Sequence, residues 1–509
     1  MRATSRVSFL LLSCLAFILL LAACGVDRDA DPRFIRIAIT SNPQSLDPAL
    51  ATDVNGGALV AHLFNGLVRF EGATVVPDLA DTWSVSADGR EYLFRLKPGI
   101  RFHHGRELTA ADVEASFRRL LDPATGSKRT WILDAVDTFA ALDPSTVRFL
   151  LKNPSPPFLS LLAMPAGAIV PVEEAARLGA EFARRPIGTG PFRFDQWEDD
   201  RSVRLLRNDD YFETPAAAAG IVYRVVPEPL TQLALLKRGG LDICEIPDAQ
   251  LPALREDPTW RDRIRIADQL VVGYVAINTG RFPDPRVRQA MNLAIDREAI
   301  IRAVRANLAT PAEGPVPPSL APRHPPGYRY DPERAKELLR AAGFASNRAI
   351  RLLRNAPRAT LEPAEAIAGY LRDAGFQVTV EPMEFSAMRA RVNAGDFDLC
   401  LLNWYADYAD AENFLAPLFH SARIGSAGNR ARLADSAVDA AIDALAMTYL
   451  PEERGLAILK AESRILDRAP WIFLWYPHLA VAVAPRVEGY RPPVIFNGEK
   501  GINLRIVAP

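Results

Sequence analysis

The sequence predicts an α/β protein with more than one hydrophobic core. Three observations predict it. First, 509 residues with 49% hydrophobic and 24% charged side chains suffice for more than one globular unit. Second, residues 221–226, 230–237 and 241–246 read as strand, helix and strand, with Gly239-Gly240 ending the helix. Third, a later stretch repeats that alternation. It has strands at 350–353, 376–380 and 399–402, with helices between them ended by Gly375 or centred on 385–392.

The chain opens on a targeting segment. Arg2 and Arg6 make a basic start, residues 9–21 are apolar, and Ala22-Ala23-Cys24 is a small-residue processing site. Loss of residues 1–23 takes the net charge from −1 to −3. Leu21-Ala22-Ala23-Cys24 resembles a bacterial lipobox, which implies cleavage before Cys24 and lipid on its sulfur. The segment 24–33 then reads as a tether. The charge balance, with no long basic block, gives no reason to expect nucleic acid. After processing, Cys244 and Cys400 remain, each inside an apolar strand-like run. Two buried free thiols are expected, and a disulfide is allowed.

Residues 34–39 alternate and form the first strand, and 57–67 a helix with Leu59, Leu63 and Leu67 on one face. Ala87-Asp88-Gly89 turns a hairpin that puts Tyr92, Phe94 and Leu96 together. Thr109 with Asp112 caps the next helix. Ile187-Gly188-Thr189-Gly190-Pro191-Phe192 reads as a glycine turn opening a hairpin, with strands at 192–197 and 202–207. No G-K-[ST] follows it, so a phosphate loop is not indicated. Residues 271–278 read as a strand able to cross between lobes. Asp284-Pro285, Asp296 and Asp331-Pro332 begin helices. Residues 311–326 are a proline-rich surface loop. Helices surround 437–445 and 456–466, two late strands occupy 471–476 and 479–483, and the last residues return to the first lobe.

The chemistry concentrates in L-C-L-L-N-W-Y-A-D-Y-A-D-A-E-N-F, residues 399–414. A short apolar run stops at Asn403. Trp404 and Tyr405 follow, and Asp407 stands three residues past the tryptophan. An aromatic ring and a carboxylate at a strand mouth suit a ligand carrying an ammonium group. A core tryptophan beside a helix-capping aspartate is the competing reading of the same residues. His103 and His104 are adjacent in a turn and lack metal-site spacing, so no metal is expected. Neither G-x-S-x-G nor H-E-x-x-H occurs, and no catalytic residue is nominated.

W-Y-A-D-Y-A-D-A-E-N-F resembles the pocket segment of solute-binding family 5, the peptide-binding lipoproteins that serve ABC importers. Residues 77–121, 187–192 and 282–290 are similar to the same family, which the resemblance covers over nearly the whole mature chain. It implies a two-lobed α/β periplasmic-binding-protein fold with mixed sheets, an extra subdomain and a ligand cleft between the lobes. The division implied is 1–23 signal, 24–33 tether, and 34–60 with 186–272 and 478–509 as the core of lobe I. Residues 61–185 are then its extra subdomain and 273–477 lobe II. By motif, Asp407 would hold a peptide's α-amino group, with Trp404, Asn403 and Tyr405 beside it. Arg354, at the carboxyl end of the strand 350–353, meets the arginine that grips the carboxylate in the dipeptide binders, with Arg358 as fallback. The oligopeptide binders carry an arginine shortly before the tryptophan. Leu401 departs from that pattern, which points away from long peptides.

The resemblance therefore implies a monomeric, lipid-anchored envelope protein that captures a short peptide for an ABC permease and ATPase. It implies no cofactor and no catalysis. Nickel chelates, haem, opines or sugars are the alternative ligands on this fold, and an envelope peptidase or hydrolase lipoprotein is the alternative of another class.

Overall fold

A computed structural model describes residues 31–507 apart from 322 and 345–348. The targeting segment and Cys24 lie outside the described residues. Ten strands form one continuous path: Gln377–Met383, Ala349–Asn355, Leu399–Tyr405, Val271–Ile277, Trp471–Val483, Ile243–Glu245, Phe34–Ile39, Gly220–Val225, Ser202–Arg207 and Phe192–Glu198. Ile264–Asp268 and Ala309–Pro311 pair with Trp471–Val483 off this path. The mixed sheet carries helices between its parallel strands, as the predicted strand–helix–strand units require.

The strand Trp471–Val483 joins the two halves. It bonds Val271–Ile277 through its first part, and Ile243–Glu245 and Ile264–Asp268 through its second. The sequence reads two strands here, and the structure corrects this to one of 13 residues. Pro477 lies within it. It falls where the partner changes from Gly273 to Asp268, so its missing N–H interrupts no ladder between those two. A second crossing lies at Gln269 and Leu270, just before Val271–Ile277. That strand itself belongs wholly to one half, and all seven of its residues are buried.

A separate four-stranded sheet, ordered Ala80–Val85, Glu91–Leu96, Thr146–Leu151 and Val136–Asp143, packs on the helix Ala110–Leu121. The predicted hairpin is its first half. Tyr92, Phe94, Phe117, Phe149 and Phe158 fill its core, with ring centroids 4.8–6.4 Å apart. Thr109 and Asp112 form the expected capping box. This unit abuts the far half of the molecule. Ser160 donates to the Ala409 carbonyl at 3.2 Å, and the Trp131 and Tyr408 rings lie 6.1 Å apart.

Gly188 and Gly190 serve close approach rather than turn geometry. A Cβ on Gly188 would come 2.1 Å from the Leu63 carbonyl oxygen, and one on Gly190 would come 2.4 Å from that of His62. The chain thereby lies against the end of the helix Val54–Leu63, with Gly190 N–H donating to Leu63 at 2.9 Å. Asp242, 1% exposed, accepts from both Arg36 and Arg486, which ties the first strand to the C-terminal segment. Cys244 and Cys400 are free and buried, and burial pushes both thiols up to about 12.

Candidate functional site

The strand Leu399–Tyr405 runs three residues past the apolar run that marks it in the sequence. Asn403, Trp404 and Tyr405 stay in the ladder because Gly273, Val272 and Val271 pair with them. Alternation then assigns faces. Asn403 and Tyr405 are exposed on one side. Trp404 and Leu402 pack against the main core on the other.

A turn follows, and one buried side chain holds it. Asn413, 2% exposed, accepts through Oδ1 from Trp404 Nε1 and from the Asp407 backbone N–H, both at 3.1 Å. The indole is therefore part core and part brace for the aspartate. Asn413 stands in the quoted segment, but only the folded turn reveals its role. A 3₁₀ turn, Ala411–Phe414, and one short helix, Ala416–Phe419, follow.

The Asp407 carboxylate already faces a cation. Arg129 Nη1 donates to Asp407 Oδ1 at 2.9 Å, across 278 residues of sequence. The side chains are 16% and 28% exposed. Ser127 presents Arg129 by accepting its backbone N–H at 3.1 Å while donating to the Ala49 carbonyl at 2.6 Å. Sequence reasoning missed Arg129, and nothing local marks it.

Arg354 sits on the strand Ala349–Asn355 as expected, but its charge is turned into its own loop. It is 7% exposed. One guanidinium nitrogen donates to the carbonyls of Asn355, Ala356 and Pro357 at 2.9, 3.1 and 3.3 Å, and to Thr360 Oγ1 at 3.3 Å. Leu353 is level with Cys400, so Arg354 lies beside Leu401, about 13 Å back along the sheet from Tyr405 at ~3.3 Å per residue. The structure thus gathers Asn403, Trp404, Tyr405 and Asp407 at one strand mouth and sets Arg354 apart. The side chain of Arg358 lies outside the described residues.

A cavity of about 540 Å³ opens beside Tyr405 and Ala406. Its walls come from distant segments: Thr40, Ser41, Asp53 and Asn55, then Glu245, then Tyr490, Arg491, Phe496 and Glu499. The volume falls within the range of small-ligand pockets. His62, on the same wall, is held neutral, its pKa lowered to about 4 by burial. Burial likewise raises the carboxyls of Glu245 and Glu499, the latter to about 7.

Glu499 makes stability depend on pH. Its folded-state pKa lies above the ordinary 4.5, so the folded chain holds this proton more tightly than the unfolded chain. That contribution is full below 4.5 and is lost as pH rises through 7. Glu499→Gln is therefore expected to stabilise the protein by roughly 2–3 kcal/mol at pH 8 and by almost nothing at pH 4, read by urea denaturation. Equal effects at both pH values would contradict the assignment.

Such a cleft, set where two halves of one sheet meet around a linking strand, defines a ligand-binding protein rather than a closed single-core domain. Comparison with known proteins agrees. The description of the bacterial extracellular solute-binding proteins, family 5 Middle, matches residues 74–426, and the chain belongs to that family. Di/tripeptide-binding protein 2 of Pseudomonas aeruginosa is 33% identical, the match covering 94% of this chain and 96% of that one. Heme-binding protein A of Haemophilus influenzae is 31% identical, over 91% and 90%. Among solved structures, the periplasmic binding protein DppA from Helicobacter pylori in complex with the peptide STSA superposes with a TM-score of 0.81. It is 28% identical over 93% of this chain and 98% of that one. The dipeptide binding protein from a Pseudoalteromonas species in complex with Met-Leu gives 0.81 at 26% identity, over 93% and 100%. The two-lobed fold of the family is thus the fold of this chain. Among the described residues, no helix is long and apolar enough to cross a membrane.

Proposed function

We propose that this protein captures a short peptide in the cleft and delivers it to an ABC importer. The observation that carries the reading is the braced turn that holds Asp407 directly after Tyr405 and Ala406, which line a cavity of about 540 Å³. The relatives named for di/tripeptides and the superposed peptide complexes support it. In this reading Asp407 pairs with the ligand's α-ammonium. Trp404 braces that aspartate, and Asn403 and Tyr405 face the ligand. A peptide backbone would be held largely by strand-like hydrogen bonds, with side chains in permissive, wet pockets. Arg354 takes the ligand carboxylate only if the loop 355–360 releases it. In this reading the lobes divide as the sequence division has them except that 271–272 go with lobe II, and 61–185 is the subdomain that contributes Arg129.

The protein binds its ligand without turning it over. Incubated with a mixed pool of di- to pentapeptides, it should retain short members in native mass spectrometry and leave the rest uncleaved. Cleavage that tracks with the pure protein would overturn the reading in favour of a peptidase. The 31% identity to a heme-binding protein favours haem as the second reading. A Soret band that titrates to one equivalent, with no peptide retained, would select it. We also assign lipid to Cys24, from Leu21-Ala22-Ala23-Cys24 after the apolar run. Stable anchoring needs more than one acyl chain, so a multiply acylated cysteine is expected. Cys24→Ser should move the protein to the soluble envelope fraction, and undiminished membrane retention would refute the anchor.

A further inference from the structure

We propose that Arg129 is a built-in competitor for the cation site, so that a ligand's ammonium binds Asp407 by displacing a guanidinium contributed by a segment 278 residues away in sequence. The inference rests on the Asp407 reading above and adds the residue that sets its strength and selectivity.

Three features point to exchange rather than to a fixed structural pair. The first is the single arm. Arg129 touches Asp407 through one nitrogen, whereas Asp242 takes several bonds from two arginines. A guanidinium used in one-armed fashion forgoes the paired geometry that makes arginine–carboxylate bridges strong. The second is exposure. Both partners reach water, so separating them leaves neither charge fully desolvated. The third is the weakness of what else holds Arg129. Its other nitrogen contact is the Thr52 carbonyl at 3.3 Å, and the Trp131 ring lies 5.9 Å from the guanidinium. That ring gives the displaced cation somewhere to rest.

The competition has a chemical consequence. Asp407 Oδ1 is occupied by the guanidinium, and an ammonium brought to the same carboxylate is repelled by it. Binding then reflects the difference between two ion pairs rather than the whole of one. A ligand without a cationic end cannot displace Arg129 and gains nothing from Asp407. Arg129 thus trims the preference for a free-amino over an N-blocked peptide, because part of the attraction of Asp407 goes into displacing it.

Calorimetry with Ala-Ala and N-acetyl-Ala-Ala tests this. Arg129→Met keeps an apolar stem and removes the competing charge, so Ala-Ala should bind about two- to fivefold tighter, the size of a part-exposed ion pair. N-acetyl-Ala-Ala should be unaffected. Arg129→Lys, which restores a cation, should return Ala-Ala binding close to wild type. In an Asp407→Asn background Arg129→Met should have no tightening effect. Equal or weaker Ala-Ala binding by a folded Arg129→Met overturns the proposal, and so does tightening that persists without Asp407. Should Asp407→Asn bind Ala-Ala as well as wild type, the reading of Asp407 itself fails. Absence of Ala-Ala binding in every variant, with native circular dichroism, overturns both.

Discussion

Asp407→Asn should weaken binding of a free-amino dipeptide by about 2–5 kcal/mol, the usual cost of removing one member of a desolvated charge pair. The substitution keeps the side chain's shape, and the Asn413 brace on the backbone N–H remains. What goes is the charge. A ligand ammonium then meets a neutral amide, and Arg129, with no carboxylate to draw it in, rests at the Trp131 ring and the Thr52 carbonyl. Competition from Arg129 in the wild type offsets part of the loss, which places the expected cost toward the lower end of that range. A change below about 0.5 kcal/mol would leave Asp407 no larger role than a surface substitution.

Trp471→Ala should cost about 3–5 kcal/mol of folding stability, the range for removing a large buried aromatic. Trp471 is 1% exposed at the start of the strand that joins the two halves. Its ring stacks on Tyr274 with centroids 3.5 Å apart and tilts against Phe419 at 4.5 Å. Those partners belong to the linking sheet and to the segment just after the Asp407 turn. Trp471 is level with Ala276 and Cys400, well back along the sheet from Tyr405, so folding stability rather than peptide affinity should carry the loss. Chemical denaturation gives the size, and a loss under 1 kcal/mol would show that the neighbouring rings collapse into the space.

Much of the fold was legible because its signals are local. Asp284-Pro285, Asp296 and Asp331-Pro332 each begin a helix whose Asp accepts from the backbone N–H two or three residues on. Thr109 and Asp112 made their capping box for the same reason. The misses came from long-range pairing. Residues 403–405 look like the end of a strand, and they stay in it only because Val271, Val272 and Gly273 lie opposite. Pro477 looks like a break, yet it pairs with Ala309 on one edge while the partner changes on the other. The hairpin of Val136–Asp143 and Thr146–Leu151 went unread although T-V-R-F-L-L alternates, and its buried Val147, Phe149 and Leu151 complete a sheet begun at Ala80.

The site divides in the same way. Trp404 and Asp407 could be named because they stand in one short segment with chemistry suited to a cation. Asn413 could be quoted but not assigned, since its bonds to Trp404 and Asp407 depend on a turn. Arg129 could not be found at all, because no local pattern marks an ion pair closed over 278 residues. Arg354 shows the converse. Its place at a strand's carboxyl end was correct, and the loop that follows supplies four acceptors nearer than any ligand.

The most direct test of the account is a double cycle by calorimetry, crossing Asp407→Asn with N-acetylation of the peptide. Acetylation should cost wild type heavily and Asp407→Asn much less, because the variant has no carboxylate left for an ammonium to pair with. Equal costs in the two proteins would contradict the account, and Trp404, Asn413 and Asp407 would then be a structural turn with the ligand's ammonium held elsewhere.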